Sequence, residues 1–252
     1  MKGIAKGAMK HRTARVVEQT LPAANSYRWA MSPWARWFRN LTHWWLVGRH
    51  VRRYCQPLKV EGLEHLASLR GPVIFVANHT SHFDAYVVRS MLPGRWRRHT
   101  AMAAAADRWY TRKKLRVAWL SLVLNIYPIQ RGGGHSALDY STRLLDRGWS
   151  LIIFPEGTRA KNGHLEDLKY GVAILALRHR APVVPIYLDG VADVLPPKER
   201  VLRPAPVTAH IGKPLAFEPT TSVSAATDHL QDVLEAMAPV QRSPEAVLSD
   251  AR

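Results

Sequence analysis

The sequence predicts an α/β fold, with a single mixed or mostly parallel sheet flanked by helices and preceded by an N-terminal amphipathic helix. Three observations predict this fold. Short apolar, β-branched runs alternate with segments of helical periodicity from about residue 58 onward. Polar clusters directly follow two of these runs, as they do at strand ends in open α/β sheets. The chain has 252 residues, of which 47% are hydrophobic, and this is enough for a substantial core.

Five apolar runs predict the strands of the sheet. In chain order these runs are PVIFVA, VLNIYPI, SLIIF, PVVPIYL and PVTAHIG. The periodicity of apolar residues predicts five helices, over residues 84–92, 109–122, 136–147, 168–180 and about 223–237. We therefore expect one α/β domain over residues 56–240, followed by a loose C-terminal tail over residues 241–252.

Residues 1–55, the basic segment, differ in composition from the rest of the chain. They contain eleven Lys and Arg residues, one acidic residue and five of the nine tryptophans. A helix there would carry an aromatic face with Trp34, Trp37, Phe38, Leu41, Trp44 and Trp45, and a basic face with Arg36, Arg39 and His43. One interpretation is a helix that lies in a membrane interface, with its rings at headgroup level and its arginines on lipid phosphates. The alternatives are a helix that packs its aromatic stripe on the core, and a nucleic-acid-binding helix, for which no reader motif is present.

The charge and cysteine content restrict the partners and the compartment. A net charge of +17 predicts attraction to an anionic partner, such as a membrane surface, a nucleic acid, an acidic carrier protein or a phosphorylated substrate. Cys55 is the single cysteine, which excludes an intrachain disulfide and favours a reducing, cytosol-facing location. No window reaches the ~20 apolar residues of a transmembrane helix, and the basic N-terminal residues lack the apolar stretch of a secretory signal.

The first polar cluster, NHTSHFD at residues 78–84, follows the run PVIFVA. His79 leaves the strand end and Asp84 falls in the first helical turn, so the carboxylate can accept a hydrogen bond from one imidazole nitrogen. The other nitrogen would then be a base that deprotonates a hydroxyl. Other readings are that both side chains cap the helix, that Ser81 is a nucleophile, although it lacks a Gly-x-Ser-x-Gly elbow, and that His79, His82 and Asp84 bind zinc with an incomplete ligand set.

The second polar cluster, FPEGTR at residues 154–159, also follows an apolar strand. Gly157 lets the backbone approach a ligand closely, and the Arg159 guanidinium is a suitable ligand for phosphate. Lys169 is a further cation, and Arg131 follows a third strand. Three strand ends thus deliver a base, a carboxylate and up to three cations to what we expect to be one edge of the sheet.

These motifs resemble those of the glycerolipid acyltransferases, the family of bacterial 1-acylglycerol-3-phosphate acyltransferase. NHTSHFD (78–84) is similar to the Asn-His-x4-Asp motif of the family, and FPEGTR (154–159) matches its third motif. YPIQR (127–131) is similar to the second motif and VPI (184–186) to the fourth. The resemblance covers about residues 57–215 and implies an acyltransferase domain within the predicted α/β domain.

The resemblance implies that His79, oriented by Asp84, is the general base that activates a lysolipid hydroxyl to attack an acyl thioester directly. With 1-acylglycerol-3-phosphate as the acceptor, the product would be phosphatidic acid. The donor would be acyl-CoA or an acyl carrier protein, and no bound cofactor or metal is expected. The implied acceptor site contains Arg131, Glu156, Gly157, Thr158, Arg159 and Lys169. The implied acyl channel is lined by Val184, Pro185 and Ile186.

The resemblance also gives the basic segment a role at the cytoplasmic face of the cell membrane. There the chain would be a peripheral membrane protein that binds an anionic lipid surface. No nucleic-acid partner is expected. The residues expected to bind the membrane are Trp34, Trp37, Trp44, Trp45, Arg36 and Arg39.

Two departures from the family pattern leave the acceptor headgroup open. Many relatives carry a lysine in a Val-Ala-Lys-like segment, where this chain has AMAAAADRW (101–109) with Arg108 nearby. Asn125 and Pro128 stand where Gly and Phe are usual. Another lysolipid acceptor, a thioesterase or hydrolase that activates water, and a non-catalytic basic membrane-binding protein therefore stay open as alternatives.

Overall fold

A computed structural model describes residues 29–106, 114–130, 137–160, 165–197 and 199–239. Within these ranges seven strands form one sheet. The strands are β1 Cys55–Glu61, β2 Ile74–Ala77, β3 Thr100–Ala105, β4 Ile126–Ile129, β5 Ser150–Ile153, β6 Val183–Asp189 and β7 Ala205–Ile211. Their order across the sheet is β1-β7-β6-β2-β5-β3-β4. The predicted fold class, a single mixed sheet flanked by helices, is confirmed.

The direction of the strands brings three strand ends together. All neighbouring pairs are parallel except β6 and β7, which are antiparallel. In the centre of the sheet Val76 of β2 pairs with Ile153 of β5 on one side and with Pro185 of β6 on the other. The carboxyl ends of β6, β2 and β5 therefore lie side by side at one edge, where ligands bind in α/β sheets.

Helices cover both faces of the sheet. The α-helices are α1 Pro33–Thr42, α2 Arg49–Tyr54, α3 Asp84–Met91, α4 Gly94–Arg98, α5 Lys114–Leu124, α6 Asp139–Asp146, α7 Gly171–His179, α8 Val191–Val194 and α9 Val223–Ala236. A π-helical segment, His43–Gly48, joins α1 to α2, and a 3₁₀ turn spans Leu63–Leu66. Ser32 caps α1, because its Oγ accepts the amide N–H of Ala35 at 3.4 Å. Among the described residues, no helix combines the length and the apolar character that crossing a bilayer requires.

The core consists of two apolar layers, one on each face of the sheet. Alternation along β2 sends Phe75 and Ala77 into the layer under α3 and the N-terminal helices. Ile74 and Val76 point into the opposite layer, which is covered by α6, α7 and α9. All four side chains are fully buried, so β2 is the central strand of the fold.

The N-terminal helices pack on the core with their basic face inward, so Arg39 does not lie on the exposed surface where it was expected. Its side chain is 1% exposed, because Nε donates to the Leu122 carbonyl at 3.0 Å and Nη2 to the Ala30 carbonyl at 2.6 Å. Arg36 is half-buried, and its Nη1 donates to His99 Nε2 at 2.7 Å.

The aromatic face of the same helices points away from the core. Trp34, Trp37, Trp44 and Trp45 are 55 to 68% exposed. The alternative in which the aromatic stripe packs on the core is therefore wrong. Binding of these four side chains and of Arg36 to a membrane stays a prediction.

Candidate active site

Asn78 fixes the point at which the chain leaves β2. Its side chain is buried and imitates a backbone pair, because Nδ2 donates to the Leu188 carbonyl at 3.0 Å while Oδ1 accepts the Leu188 amide at 2.7 Å. The chain is thus anchored to β6 directly before His79. This anchoring places the imidazole at the edge where β6, β2 and β5 end.

The predicted hydrogen bond between His79 and Asp84 is present. His79 Nδ1 lies 2.8 Å from Asp84 Oδ2, and the same oxygen accepts the amides of Thr80 and Ser81, each at 2.8 Å. With Nδ1 of the imidazole donating to this oxygen, Nε2 is left as a proton acceptor. Asp84 is fully buried and His79 is 19% exposed, so the base faces solvent while its orienting group does not.

The His79 ring is also held on its face. It stacks on Phe154, the residue that follows β5, with ring centroids 4.5 Å apart and an interplanar angle of 28°. The NHTSHFD motif therefore supplies the imidazole, and the FPEGTR motif supplies the aromatic ring on which it packs. This packing fixes the ring more tightly than the Asp84 hydrogen bond alone.

The competing roles for Ser81 and for a zinc site receive no support from the geometry. Ser81 is buried, its Oγ donates to the Leu195 carbonyl at 2.8 Å, and it accepts the Phe83 amide at 3.1 Å. This hydroxyl is engaged in holding the turn. Across the described part of the chain, no group of three or more His, Cys, Asp or Glu residues is placed to hold a metal.

Glu156 connects the two motifs. Its Oε1 accepts the amide of His79 at 2.7 Å and its Oε2 accepts the amide of Glu166 at 3.2 Å. The carboxyl group is 3% exposed, and burial raises its pKa to about 7 against the opposing effect of these two amides. The sequence predicts Glu156 in the acceptor site, and the structure adds that it holds the backbone of the candidate base.

Further backbone contacts tie the FPEGTR loop to its neighbours. The Ala160 amide donates to the His79 carbonyl at 2.8 Å, and the Lys169 amide donates to the Pro155 carbonyl at 3.0 Å. Gly157 has a φ of 70°, a left-handed conformation in which only glycine is unstrained. The loop therefore turns sharply and brings its polar residues back over the sheet edge.

A cavity of about 600 Å³ opens beside His79. Its polar rim contains His79, His82, Glu156, Gly157, Thr158, Arg159 and Lys169, which include five of the six residues predicted for the acceptor site. Arg131, the sixth, and Arg108 lie outside the described residues. The interior is apolar and is formed by Met102, Ala103, Ala104, Ala105, Leu120, Leu124, Ile126 and Ile129.

Val184, Pro185 and Ile186 do not line this cavity, and their place in an acyl channel stays a prediction. They belong to β6, whereas the cavity lies on the other side of β2, against β3 and β4. The wall of β3 is made of alanines, whose small side chains leave the volume empty. The alanine run at residues 103–106, read as a departure from the family, is the signal that could have located the cavity.

Comparison with known proteins identifies the family. A family model described as Acyltransferase matches residues 57–189, which is more than half of the chain. The chain belongs to the acyltransferase family. The predicted resemblance is thereby confirmed, and both strand-end motifs fall within the matched residues.

Curated relatives agree with this acyltransferase assignment. The 1-acyl-sn-glycerol-3-phosphate acyltransferase LPAT1 of Arabidopsis thaliana is 30% identical over 166 residues, covering 63% of this chain and 43% of the relative. The human 1-acyl-sn-glycerol-3-phosphate acyltransferase alpha is 31% identical over 144 residues, covering 57% and 49%. The chain thus spans less than half the length of these two relatives.

A solved structure shares the fold. The 1-acyl-sn-glycerophosphate (LPA) acyltransferase PlsC of Thermotoga maritima superposes with a TM-score of 0.61 and 22% sequence identity. The match covers 84% of this acyltransferase chain and 80% of the other. It extends beyond the residues of the family model, so the fold is shared across most of the chain.

Proposed function

We propose that the protein transfers a fatty acyl group from an acyl thioester to the free hydroxyl of a lysophospholipid, with 1-acylglycerol-3-phosphate as acceptor and phosphatidic acid as product. The observation that carries this proposal is the His79 imidazole, oriented by Asp84, at the mouth of an apolar cavity of about 600 Å³. A base beside an apolar cavity suits a reaction between a hydroxyl and a long acyl chain. The names of the relatives describe the same reaction class.

The chemistry requires one base that serves in both directions. His79 Nε2 removes the proton of the acceptor hydroxyl as its oxygen attacks the thioester carbonyl. The Asp84 carboxylate stabilises the imidazolium that forms, because its Oδ2 lies 2.8 Å from His79 Nδ1. The tetrahedral intermediate then expels the thiolate, which takes the proton back from His79. Ester formation is complete and the base is restored.

The acceptor phosphate binds at the polar rim of the cavity. Arg159 and Lys169 both line the rim, and a guanidinium and an ammonium are the side chains that phosphate oxygens favour. Arg131 belongs to the same proposed site from the preceding strand end. In this account Glu156 does not bind the phosphate but positions the backbone of His79.

The fatty chain occupies the apolar interior. β3, β4 and α5 supply its wall, so the chain runs away from β6 and toward the edge of the sheet formed by β4. Leu120 and Leu124 of α5 face the cavity, whereas Leu115 and Trp119 of the same helix are 87% and 48% exposed. The helix α5 therefore separates the fatty chain from the outside with apolar residues on both sides.

The protein reaches its lipid substrate through a membrane-facing aromatic surface. This surface contains Trp34, Trp37, Leu41, Trp44, Trp45, Leu115 and Trp119, all at least 48% exposed. Phe38 of α1 contacts Trp119 of α5 edge-on at 6.4 Å, so the two helices form one surface. Exposed tryptophans favour the headgroup region of a bilayer, and the charge of +17 favours anionic lipid on the cytoplasmic face.

The test is an acyl-transfer assay in detergent micelles with palmitoyl-CoA as donor and lysophospholipids of several headgroups as acceptors. We expect phosphatidic acid to form fastest, from the acceptor with a phosphate monoester. Faster transfer to a lysophospholipid with another headgroup would contradict the proposed acceptor, but it would still support acyl transfer as the reaction. Loss of the thioester without any lipid product would identify a hydrolase. A parallel assay with acylated acyl carrier protein decides which thioester is the donor.

A further inference from the structure

A cluster of buried cations lies between the N-terminal helices and the α3–α4 region. The cation cluster consists of Arg39 of α1, His43 of the π-helical segment, Arg89 of α3 and Arg97 of α4. Arg39, Arg89 and His43 are 1%, 2% and 5% exposed, and Arg97 is half-buried. None of the four lines the cavity described above. The cluster is therefore separate from the candidate active site.

Many N–H groups of the cation cluster have no hydrogen-bond partner among the described residues. These groups are Arg39 Nη1, Arg89 Nε, Arg89 Nη1 and Arg97 Nε, and the ring nitrogen His43 Nδ1 is likewise unpartnered. The remaining guanidinium contacts are to backbone carbonyls, those of Leu122, Ala30, Arg97 and Leu92. Within the described ranges no carboxylate forms an ion pair with any member of the cluster.

The members of the cluster repel one another. Burial and the neighbouring charges of Arg39 and Arg97 lower the pKa of Arg89 well below its ordinary value. Burial and the charge of Arg36 lower the pKa of Arg39 to about 10. Burial and the charges of Arg97, Arg89 and Arg52 lower the pKa of His43 to about 3. Burying like charges without a counterion is costly, and native structures supply such groups with a partner or a bound ion.

We propose that the cation cluster binds a phosphoryl oxyanion, supplied by the headgroup of an anionic phospholipid. Phosphate presents several acceptor oxygens, and guanidinium groups match them in pairs. One oxyanion would accept the unpartnered N–H groups of Arg39, Arg89 and Arg97 and would neutralise their repulsion. The site does not depend on the acyl-transfer reaction, since it shares no residue with the cavity.

The position of the cluster favours a lipid headgroup as the source of the phosphate. Arg52 and Arg98 are exposed and lower the pKa of His43 and Arg97 respectively, so the cluster continues to the protein surface. The guanidinium of Arg52 lies 5.0 Å from the ring of Trp44, which belongs to the aromatic surface. A bilayer in contact with that surface would therefore have its phosphates beside the entrance of the cluster.

The π-helical segment connects the buried cluster to the exposed Arg52. His43 begins this segment and Gly48 ends it, and π-turns are frequent at functional sites. Gly48 is buried, and a Cβ there would lie 3.2 Å from Arg52 Nη1. The absence of a side chain at Gly48 thus lets the Arg52 guanidinium lie against the segment that begins at His43.

The first test is thermal unfolding in sodium phosphate and in sodium chloride at equal ionic strength. At a phosphate concentration of about ten times the Kd, we expect the Tm of the wild type to exceed its value in chloride by roughly 3–6 °C. Arg89→Met should reduce this difference. Arg178→Met, which removes the same charge from an exposed position near the end of α7, should keep it.

A further variant separates this site from the acceptor site. Arg159→Met weakens the proposed acceptor site, which can also bind phosphate, so the rise in Tm that remains in Arg159→Met belongs to the cation cluster. This remaining rise should be lost when Arg89→Met is added. Loss of the rise in Arg159→Met together with its retention in Arg89→Met would overturn the proposal, as would equal Tm values in phosphate and chloride for the wild type. If Arg89→Met does not fold, Arg97→Met tests the same point from a half-buried position.

The second test identifies the source of the phosphate. Cosedimentation compares vesicles of phosphatidylcholine alone with vesicles that also contain phosphatidic acid. Arg89→Met should weaken binding to the phosphatidic acid vesicles several-fold relative to Arg178→Met, with equal binding to phosphatidylcholine. Unchanged binding by Arg89→Met to both kinds of vesicle would overturn the headgroup assignment and leave free phosphate as the ligand.

Discussion

The candidate active site and the cation cluster both bury charge, but the first supplies it with more hydrogen-bond partners. Asp84 and Glu156 are 0% and 3% exposed, and backbone amides donate to the carboxylate of each. Arg39 and Arg89 are equally buried, yet three of their N–H groups have no partner. In the candidate active site one buried carboxylate oxygen, Asp84 Oδ1, has no partner among the described residues. In the cation cluster four guanidinium nitrogens have none, and the proposed anion would supply it. The two regions therefore differ in how many of their buried polar atoms have a hydrogen-bond partner, and not in how deeply these atoms are buried.

Removing the charge of Asp84 should have the largest effect. In Asp84→Asn the carboxamide accepts the backbone amides less strongly and its NH₂ can face the imidazole, which favours the wrong tautomer of His79. We expect kcat for acyl transfer to fall roughly 10²–10⁴-fold. The matched control is Asp146→Asn, because Asp146 also contacts a histidine, His179 Nδ1, at 3.3 Å but far from the cavity. Equal kcat values in both variants would remove Asp84 from the mechanism.

A leucine placed inside the cavity should change the preference for acyl-chain length, whereas a leucine at an exposed position should not. Ala104→Leu fills part of the interior and should shift the preference from palmitoyl to shorter acyl donors by roughly tenfold to a hundredfold in kcat/KM ratio. Ala216→Leu places the same side chain at an exposed position and should leave the ratio unchanged. An unchanged chain-length preference in Ala104→Leu would mean that the fatty chain lies elsewhere.

The Trp37→Ala variant tests the membrane-facing aromatic surface. Trp37 is 68% exposed, and its removal should weaken binding to anionic vesicles by about tenfold, while turnover in detergent micelles stays at the wild-type level. Val201→Ala is a suitable control because Val201 is 67% exposed on another part of the protein. If vesicle binding is the same for both variants, the aromatic surface does not contact the membrane.

The smallest expected effect is a pH dependence of stability caused by Glu156. It tests the hydrogen bonds that hold the candidate active site together. Burial raises the pKa of Glu156 from 4.5 to about 7, so the folded state holds a proton that the unfolded state releases. Stability should therefore fall as the pH rises from about 5 to about 8, by on the order of 1 kcal/mol. Glu156→Gln should flatten this dependence in urea unfolding, and Glu218→Gln, at an exposed position, should not. A dependence as steep in Glu156→Gln as in the wild type would contradict this assignment.

The strand-end chemistry was predictable because it is local. A buried apolar run followed at once by His79 or Glu156 specifies where the chain leaves the sheet, and a five-residue offset brings Asp84 within reach of the imidazole. The strands β2, β4, β5, β6 and β7 were likewise predicted from their apolar runs. These features depend on neighbours in sequence, so no tertiary information was needed.

The features that could not be predicted depend on tertiary packing. β3 is rich in alanine and β1 is an edge strand with alternate exposed residues, so neither presents the β-branched run of a buried strand. The strand order places VPI (184–186) on the far side of β2 from the cavity, which a linear motif does not reveal. The inward direction of Arg39 depends on carbonyls of Leu122 and Ala30 that lie outside its own helix.

The most direct test of the account compares His79→Ala with His229→Ala, an exposed histidine on α9. Acyl transfer from palmitoyl-CoA to 1-acylglycerol-3-phosphate is measured in micelles, and cosedimentation with anionic vesicles is measured on the same preparations. The account predicts that only His79→Ala loses turnover, by at least about 10²-fold, and that both variants bind vesicles like the wild type. Full turnover by a folded His79→Ala variant would contradict the assignment of His79 as the base.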